Sequence, residues 1–306
     1  TKPPRPAVTE PVPMRSPPAS YYQSRAADRL PPLSREEKQL REVVDKSWRR
    51  PGPTLAGDGR LDTVATWALE LGRSTGNPPD LEAVEHYAHR QGVPEPVPQM
   101  IVKGLAESAS LVEELSAEIK KLSQSYPYTH YGSALAREPR ASLLVLVFSS
   151  RWFEMSPLPR RVEQGDTFRL QGKLTHGLRE PLLAITLPDG TTRRQPAGDD
   201  MVFDMVIPAE ESGTYRVELL ARGKLGLVVL ANFPVFSGVE EVDIELRAPA
   251  ARRDETPEDE GSFLARLLAL INQGIVEFEA VDDPERTLAL TLLRAHEVSL
   301  CTVSFR

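Results

Sequence analysis

Residues 164–238 carry the clearest structural pattern in the chain, and they read QGDTFRLQGKLTHGLREPLLAITLPDGTTRRQPAGDDMVFDMVIPAEESGTYRVELLARGKLGLVVLANFPVFSG. Short runs of β-forming residues alternate with turn residues at close spacing, which is typical of a small antiparallel sandwich. The Asp189-Gly190 pair lies between two such runs and suits a tight hairpin. Two rows of alternating apolar residues indicate core-facing strands: Tyr215, Val217 and Leu219 in one, and Met201, Phe203, Met205 and Ile207 in the other. We therefore predict an antiparallel β-sandwich over 156–246, in which no motif suggests a reactive group.

The composition is that of an ordinary globular protein with room for two domains or slightly more. The chain has 306 residues, of which 40% are hydrophobic and 26% are charged. Its formal net charge of −7 disfavours nucleic acid and anionic membranes as main partners. No apolar run approaches the roughly 18 to 20 residues that a membrane-spanning helix needs. The sequence therefore predicts no nucleic-acid partner and no transmembrane span.

The chain contains a single cysteine, Cys301. One cysteine excludes an intrachain disulfide and a zinc site built from cysteines. We interpret Cys301 as a buried apolar thiol. The chain begins at Thr1 rather than at methionine, which suggests processing or trimming and leaves open whether a lipid was attached just before Thr1.

Proline is concentrated at the start of the chain, with nine prolines in residues 1–33. A segment with so little apolar surface cannot offset the entropy of ordering, so we predict a disordered, proline-rich arm. The simplest interpretation of this arm is a passive tether. The alternative is an arm that lies on a partner, with Tyr21 and Tyr22 as its interaction anchors.

Helical signals dominate residues 34–155. Ser34 followed by Glu37 forms a capping-box pattern that begins a first helix. The other elements that we predict here are three amphipathic helices at about 59–71, 80–91 and 108–124, a turn at 126–132 and a buried strand at 141–148.

After a charged linker at 247–261, the remaining chain at 262–306 is predicted to be helical. Apolar residues indicate helices at 263–271 and 288–295. These helices would have no strands of their own to pack against. We therefore expect them to dock on the first domain or on another chain.

One region resembles a known family. Leu55, Asp58, Leu61 and Ala65 match a Leu-x-x-Asp-x-x-Leu-x-x-x-Ala helix motif, and Thr-His-Tyr-Gly at 129–132 is similar to a Thr-His-x-Gly turn. On these residues, about 34–150 resembles the CAP superfamily (cysteine-rich secretory, antigen 5 and pathogenesis-related proteins) in its bacterial secreted form, which implies a degenerate CAP-like domain over 34–155. The fold class that we expect is α+β: a CAP-like α/β/α sandwich, then an antiparallel immunoglobulin-like β-sandwich and a short helical C-terminal piece.

The C-terminal segment resembles the start of a second CAP domain. The run FLARLLALIN at 263–272 is similar to the first helix of the family, and Asp282 with Leu288 and Ala289 is similar to its second. This resemblance implies a copy that ends before its strands.

The same resemblance implies where a metal would bind, and the chain departs from the family there. Family members can hold a divalent cation with two histidines and two acidic residues, but the matching stretches at 75–79, 98–103 and 119–122 lack these groups. His86 and His89 are weak metal candidates, because a spacing of three places both on one helical face. A solvated helix face is the simpler interpretation, and we interpret His130 as a turn cap. We therefore predict no catalytic residue, no bound metal and no cofactor.

These observations predict a non-catalytic binding or structural protein of the bacterial cell envelope or exterior, acting through protein–protein contacts. The expected location is periplasmic, outer-membrane associated or extracellular, the expected partner is a protein or assembly, and an oligomer is possible. The strand at 225–236 is the candidate contact strand, although a buried sandwich strand is the simpler interpretation. The alternative is a lipid or small-ligand binder, with a cavity lined by Trp67, Leu71 and Leu115. A CAP-type hydrolase built on His86 and His89 is the weakest possibility.

Overall fold

The computed structural model describes residues 18–23, 33–48, 54–75, 78–96, 99–106, 111–125, 127–138, 141–224, 226–241, 276–282, 288–294 and 302–304. The chain divides into two compact units, Thr1–Ala248 and Pro249–Arg306, which are described separately. Within the described part of the first unit, a helical part at 33–149 precedes a sandwich part at 152–241.

The helical part is built around one mixed four-stranded sheet. Its strands are β2 (Ala56–Gly57), β3 (Gln99–Ala106), β4 (His130–Glu138) and β5 (Ala141–Ser149). They lie in the order β2-β4-β5-β3, with β2 parallel to β4 and the other neighbours antiparallel. Strand β5 confirms the predicted buried strand. The sequence did not indicate β3, and β4 begins inside the predicted turn.

Helices pack on both faces of this sheet. They are α1 (Arg35–Ser47), α2 (Gly59–Thr75), α3 (Leu81–Arg90) and α4 (Leu111–Ser125). Helices α2 and α3 share one apolar core with the sheet, and α1 and α4 share another. Because the sheet is covered on both faces, its central strand β5 is a continuous apolar run.

The helix starts follow from local chemistry. The Ser34 hydroxyl accepts a hydrogen bond from the Glu37 N–H at 3.1 Å, and the Glu37 carboxylate accepts one from the Ser34 N–H at 2.8 Å. This reciprocal pair confirms the predicted capping box. Asp80 caps α3 in a similar way, with its carboxylate accepting from the Ala83 N–H at 2.8 Å.

The sandwich part consists of two sheets that share one core. Its strands are β6 (Phe153–Met155), β7 (Leu158–Pro159), β8 (Arg161–Val162), β9 (Thr167–Leu174), β10 (Arg179–Thr186), β11 (Thr192–Pro196), β12 (Val202–Pro208), β13 (Gly213–Gly223) and β14 (Gly226–Ser237). One sheet has the order β11-β10-β13-β14-β8 and the other the order β12-β9-β6, while β7 belongs to neither. Residues from both sheets form the largest apolar cluster of the described chain.

Two local features support these sheets. The predicted hairpin joins β10 to β11, and its Gly190 has a φ of 87°, which glycine adopts without strain. Near the start of β13, the buried Tyr215 accepts a hydrogen bond from the Glu211 N–H at 2.9 Å. A tyrosine that bonds the backbone a few residues upstream is a recurrent corner of β-sandwiches.

A short N-terminal strand joins the sandwich part. Strand β1 (Tyr21–Tyr22) pairs antiparallel with β7, with Tyr21 opposite Pro159 and Tyr22 opposite Leu158. Residues 18–23 are therefore ordered against the body of the unit, where the sequence predicted a disordered arm. We call residues 18–23 the strap.

The second unit, as far as it is described, is an antiparallel sheet of β15 (Val276–Asp282), β16 (Leu288–Arg294) and β17 (Thr302–Ser304). The predicted helix at 288–295 is wrong, because this stretch forms β16. Its leucines at 288, 290 and 292 recur with the period of two that favours a strand. The predicted helix at 263–271 lies outside the described residues.

The predicted fold class is also wrong. In place of an α+β protein with a CAP-like α/β/α sandwich, an immunoglobulin-like sandwich and a helical C-terminal piece, the chain is predominantly β. The described residues hold seventeen strands in several sheets against four helices. The strap, strand β3 and the C-terminal sheet all add β-structure that the sequence patterns did not predict. In the described residues, no helix is long and apolar enough to cross a membrane.

Candidate binding cleft of the first unit

A cleft of about 930 Å³ opens between the helical part and the sandwich part. Both parts and the strap contribute side chains to its walls: Gln23, His130, Arg151, Phe153, Glu154, Met155, Ser156, Pro157, Gln171, Gly172, Lys173, Thr175, His176 and Val202. A cleft of this size is within the range of natural ligand sites. We treat it as the candidate functional site.

The elements that meet at the cleft position its polar groups. His130 is the first residue of β4, and Arg151 follows the end of β5, so both stand at the same end of the central sheet. Glu154 and Lys173 lie opposite each other on β6 and β9. Val202 begins β12 and is 56% exposed.

A buried ion network supports the helical wall of the cleft. The Asp58 carboxylate accepts hydrogen bonds from the Arg60 and Arg151 guanidinium groups, each at 2.8 Å. Arg151 also donates to Glu95. These four side chains are each less than 10% exposed, so their two positive and two negative charges compensate one another away from water. Arg151 is therefore a fixed, neutralised part of the wall.

The network sets the protonation of the acid within it. Burial alone would raise the pKa of the Asp58 carboxyl, but the hydrogen bonds and charges of Arg60 and Arg151 hold that pKa well below its usual range. Asp58 is therefore a permanent anion and cannot act as a proton donor near neutral pH.

The imidazole of His130 is kept neutral. Burial lowers the pKa of His130 to about 4, and the charge of Arg151 adds to this lowering. The Thr129 hydroxyl oxygen lies 2.8 Å from His130 Nδ1 and already accepts a hydrogen bond from the Arg151 N–H at 2.8 Å. His130 therefore presents a neutral imidazole in the cleft wall.

The remaining charges at the cleft also pair with each other. Lys173 Nζ lies 3.2 Å from the Glu154 carboxylate on the neighbouring strand. The other polar groups are uncharged amides and hydroxyls, apart from His176, whose Nδ1 lies 2.7 Å from the Thr175 hydroxyl. The cleft can therefore hold an uncharged polar group beside the exposed Val202.

The strap ties the two parts together beside the cleft. On the helical part, the Arg90 carbonyl accepts a hydrogen bond from the Ala19 N–H at 2.7 Å. On the sandwich part, the Arg160 N–H donates a hydrogen bond to the Ser20 carbonyl of the strap at 3.0 Å. Its last described residue, Gln23, lines the cleft. The strap therefore supplies part of the cleft wall.

The two predicted anchor tyrosines differ in environment. Tyr21 is 52% exposed, whereas Tyr22 is fully buried. The Tyr22 hydroxyl donates to the Pro234 carbonyl at 2.8 Å, and its ring lies 4.5 Å from that of Phe233. Tyr22 therefore anchors the strap to its own chain.

The weak metal candidates do not meet further ligands. His86 and His89 lie on α3, and no group of three or more histidine, cysteine or acidic residues that could hold a metal occurs in the described part of the chain. The ring of His89 lies edge-on to Tyr22 at 6.3 Å, and His89 is buried rather than solvated.

The residues expected to line a ligand cavity do not lie together. Trp67 and Leu71 are buried in the core beneath α2 and α3, where Trp67 stacks on Tyr87 at 4.4 Å. Leu115 is buried in the core on the opposite face of the sheet. The proposed apolar cavity between them is therefore wrong.

The candidate contact strand has strand neighbours on both sides only at one end. Strand β14 lies between β13 and β8 in its sheet, although β8 covers only Phe236 and Ser237. Leu227 and Val229, at its far end, remain 56% and 41% exposed.

Sequence reasoning missed the cleft itself. In the sequence, Asp58 stands out only as part of a family motif, and no pattern marks Glu95 or Arg151. These residues are far apart in the chain, and no spacing in the sequence connects them.

Comparison with family models and with curated proteins finds no match to this chain. The resemblance to the CAP superfamily therefore stays a prediction.

Proposed function

We propose that this chain is a non-catalytic binding protein of the bacterial cell envelope or exterior that acts through protein–protein contacts, with the cleft as its contact site. The observation that supports this proposal most directly is that Val202 is exposed in the wall of an open cleft. The charges of that cleft already compensate one another. An exposed valine inside a concave surface favours burial by a partner.

The chemistry of the wall favours binding over catalysis. An acid–base catalyst needs groups poised to exchange protons near neutral pH. Asp58 is held as an anion and His130 is held neutral. Groups fixed in this way can position a partner by hydrogen bonds without transferring protons.

The cellular location rests on the sequence, through the likeness of 34–150 to bacterial secreted proteins. The partner that we propose is a protein or assembly at the same location. An oligomer of the chain itself is compatible with this proposal.

A lysine substitution at Val202 tests the proposal. The protein is recovered from its native source, and the mass of the native particle is measured by light scattering. We expect wild type to run in a particle larger than its own 33.9 kDa and Val202→Lys to run as the free chain. Burying an unpaired ammonium in the contact would cost several kcal/mol.

Val206→Lys is the matched control, because Val206 is 57% exposed on the same strand but does not line the cleft. It should keep the wild-type particle. Equal loss of the particle in both variants would place the contact on the face of β12 instead. A wild-type mass equal to the free chain would contradict protein binding altogether.

A small polar ligand is the second candidate, and the volume of the cleft favours it. About 930 Å³ lies near the upper end of small-molecule sites. Mass spectrometry of molecules released from the purified protein on unfolding would detect such a ligand. Its presence in wild type and absence in Val202→Lys would favour this candidate.

A further inference from the structure

The groove that holds the strap has the features of a peptide-binding site. The groove forms hydrogen bonds with the extended backbone of the strap at both of its ends. Arg160 donates to the Ser20 carbonyl through its N–H at 3.0 Å and to the Ala19 carbonyl through Nη1 at 3.1 Å. At the other end, Arg60 Nη1 donates to the Gln23 carbonyl at 2.5 Å. Backbone recognition with strand pairing is the mode by which many domains bind extended peptides.

One side-chain pocket adds specificity to this backbone recognition. Tyr22 fills it, with its ring against Phe233 and the Arg160 guanidinium carbon 5.4 Å from the ring centroid. The Pro234 carbonyl receives its hydroxyl hydrogen. A pocket with an aromatic wall, a cation over the ring and an acceptor at its end fits tyrosine better than phenylalanine.

The pocket is held in shape by the body of the unit. Arg160 Nη2 donates to the Glu241 carboxylate at 2.7 Å, and Arg90 lies 3.9 Å from the same carboxylate. Both charged groups of the Arg160–Glu241 pair are only 2% exposed. Since neither partner belongs to the strap, the pocket does not depend on the strap to complete its own ion pair.

A glycine allows the strap to approach. Gly92 has a φ of 76°, and a Cβ there would overlap the Tyr21 carbonyl oxygen. The Gly92 carbonyl accepts from the Gln23 N–H at 3.4 Å. The groove is thus shaped for close backbone contact with an extended segment.

We propose that this groove is a peptide-recognition site for the strap sequence and that it accepts the strap of a second copy of the chain. The described contacts that hold the strap are hydrogen bonds and ring packing, so a strap from another copy satisfies the same groups. Exchange of identical elements between copies is a low-cost route to association. The partner that fits the groove is therefore a second copy of this chain.

The chain's own strap competes with that of a second copy. A segment that is covalently attached to its own binding site competes at an effective concentration on the order of 1 mM. Copies at micromolar concentration therefore keep their own straps. Exchange dominates when a copy's own strap is weakened or when copies are concentrated to the millimolar range.

A labelled peptide tests whether the groove binds the strap in trans. The probe is a fluorescent peptide of residues 16–25, Ser-Pro-Pro-Ala-Ser-Tyr-Tyr-Gln-Ser-Arg, titrated onto the full chain. Tyr22→Ala removes the anchor of the chain's own strap and vacates the pocket. We expect this variant to bind the probe at least about tenfold more tightly than wild type.

Tyr21→Ala is the matched control, since Tyr21 is exposed and Tyr22 still anchors the strap of the variant chain. It should bind the probe as weakly as wild type, and a probe with alanine at position 22 should bind none of the variants. Equal binding of the probe to Tyr21→Ala and Tyr22→Ala, or no binding to folded Tyr22→Ala, would overturn the proposal.

Cysteine cross-linking gives a second test that leaves the Tyr22 pocket intact. Tyr21 and Pro159 are opposite each other in the pairing of β1 with β7. In a Cys301→Ser background, Tyr21→Cys and Pro159→Cys chains are mixed at about 1 mM and oxidised. We expect a covalent heterodimer. If the Tyr21→Cys/Pro159→Cys double variant closes within one chain while the mixture yields no heterodimer, exchange does not occur.

Discussion

Arg151 is the residue that connects the stability of the helical part with the shape of the cleft. Its guanidinium is held by Asp58 and Glu95, and its backbone N–H fixes the Thr129 hydroxyl that orients His130. Loss of a partner leaves a buried charge without compensation, which costs far more than loss of an exposed pair.

Removal of the Asp58 charge should destabilise the protein strongly. Asp58→Asn removes the carboxylate charge that both Arg60 and Arg151 contact, and we expect a loss of about 3 to 5 kcal/mol in the free energy of unfolding. Denaturant titration measures it. The matched control is Asp204→Asn, which removes an exposed partner of Arg169 and should lower stability far less. Equal losses would show that the network does not stabilise the fold.

Buried histidines should make the protein sensitive to acid. Burial lowers the pKa of His89 to about 3, with the charges of His86 and Arg160 adding to this, and the pKa of His130 is lowered to about 4. The unfolded chain binds these protons near pH 6.5, before the folded chain does. Stability is therefore full above about pH 6.5 and is lost, by on the order of a few kcal/mol, as pH falls toward 4 and then 3.

Substitution of His89 checks this dependence. His89→Gln should flatten the plot of unfolding free energy against pH between about 6.5 and 3. An unchanged slope in His89→Gln would contradict the assignment of acid sensitivity to this residue.

At the scale of elements, α2 and β4 pack backbone against backbone in the helical part. Gly132 faces the helix backbone, and a Cβ there would overlap the Leu61 carbonyl carbon and the Asp62 nitrogen. The Asp62 carboxylate joins the same two elements, because it accepts a hydrogen bond from the Ser133 N–H at 2.9 Å. A side chain at position 132 would push the helix away from the sheet.

Gly132→Ala should therefore destabilise the helical part, by about 2 kcal/mol or more, because backbone cannot yield as a flexible side chain can. Thermal unfolding followed by circular dichroism measures the change. Gly223→Ala is the control, since the nearest atoms to its added Cβ are side-chain carbons at 3.4 Å. A Gly132→Ala variant as stable as Gly223→Ala would contradict the close contact.

Elements could be predicted where their signals are local. The Ser34 capping box lies within four residues, and the hairpin at Asp189 and Gly190 within two, so the sequence identified both. The helix predicted at 288–295 failed because a short leucine-rich run fits a period of 3.6 as well as one of two. In the preceding strand β15, apolar residues alternate with Glu277 and Glu279, and this pattern distinguishes a strand from a helix.

At the scale of the whole molecule, the decisive contacts join residues that are remote in sequence. The strap residue Tyr22 bonds to Pro234, which is 212 positions away, and Arg151 bonds to Asp58 across 93 positions. A two-residue strand such as β1 has no periodicity that a sequence pattern could reveal. The cleft follows from these long-range contacts, and its residues could therefore not be assembled from the sequence.

The proposed contact in the cleft can be measured directly by hydrogen–deuterium exchange on the protein, free and in its native particle. The cleft walls at 152–157 and 171–176 and the start of β12 are the segments that a bound partner would cover. We predict slower exchange of these segments in the particle than in the free chain. Unchanged exchange there, with protection confined to segments outside the cleft, would contradict it.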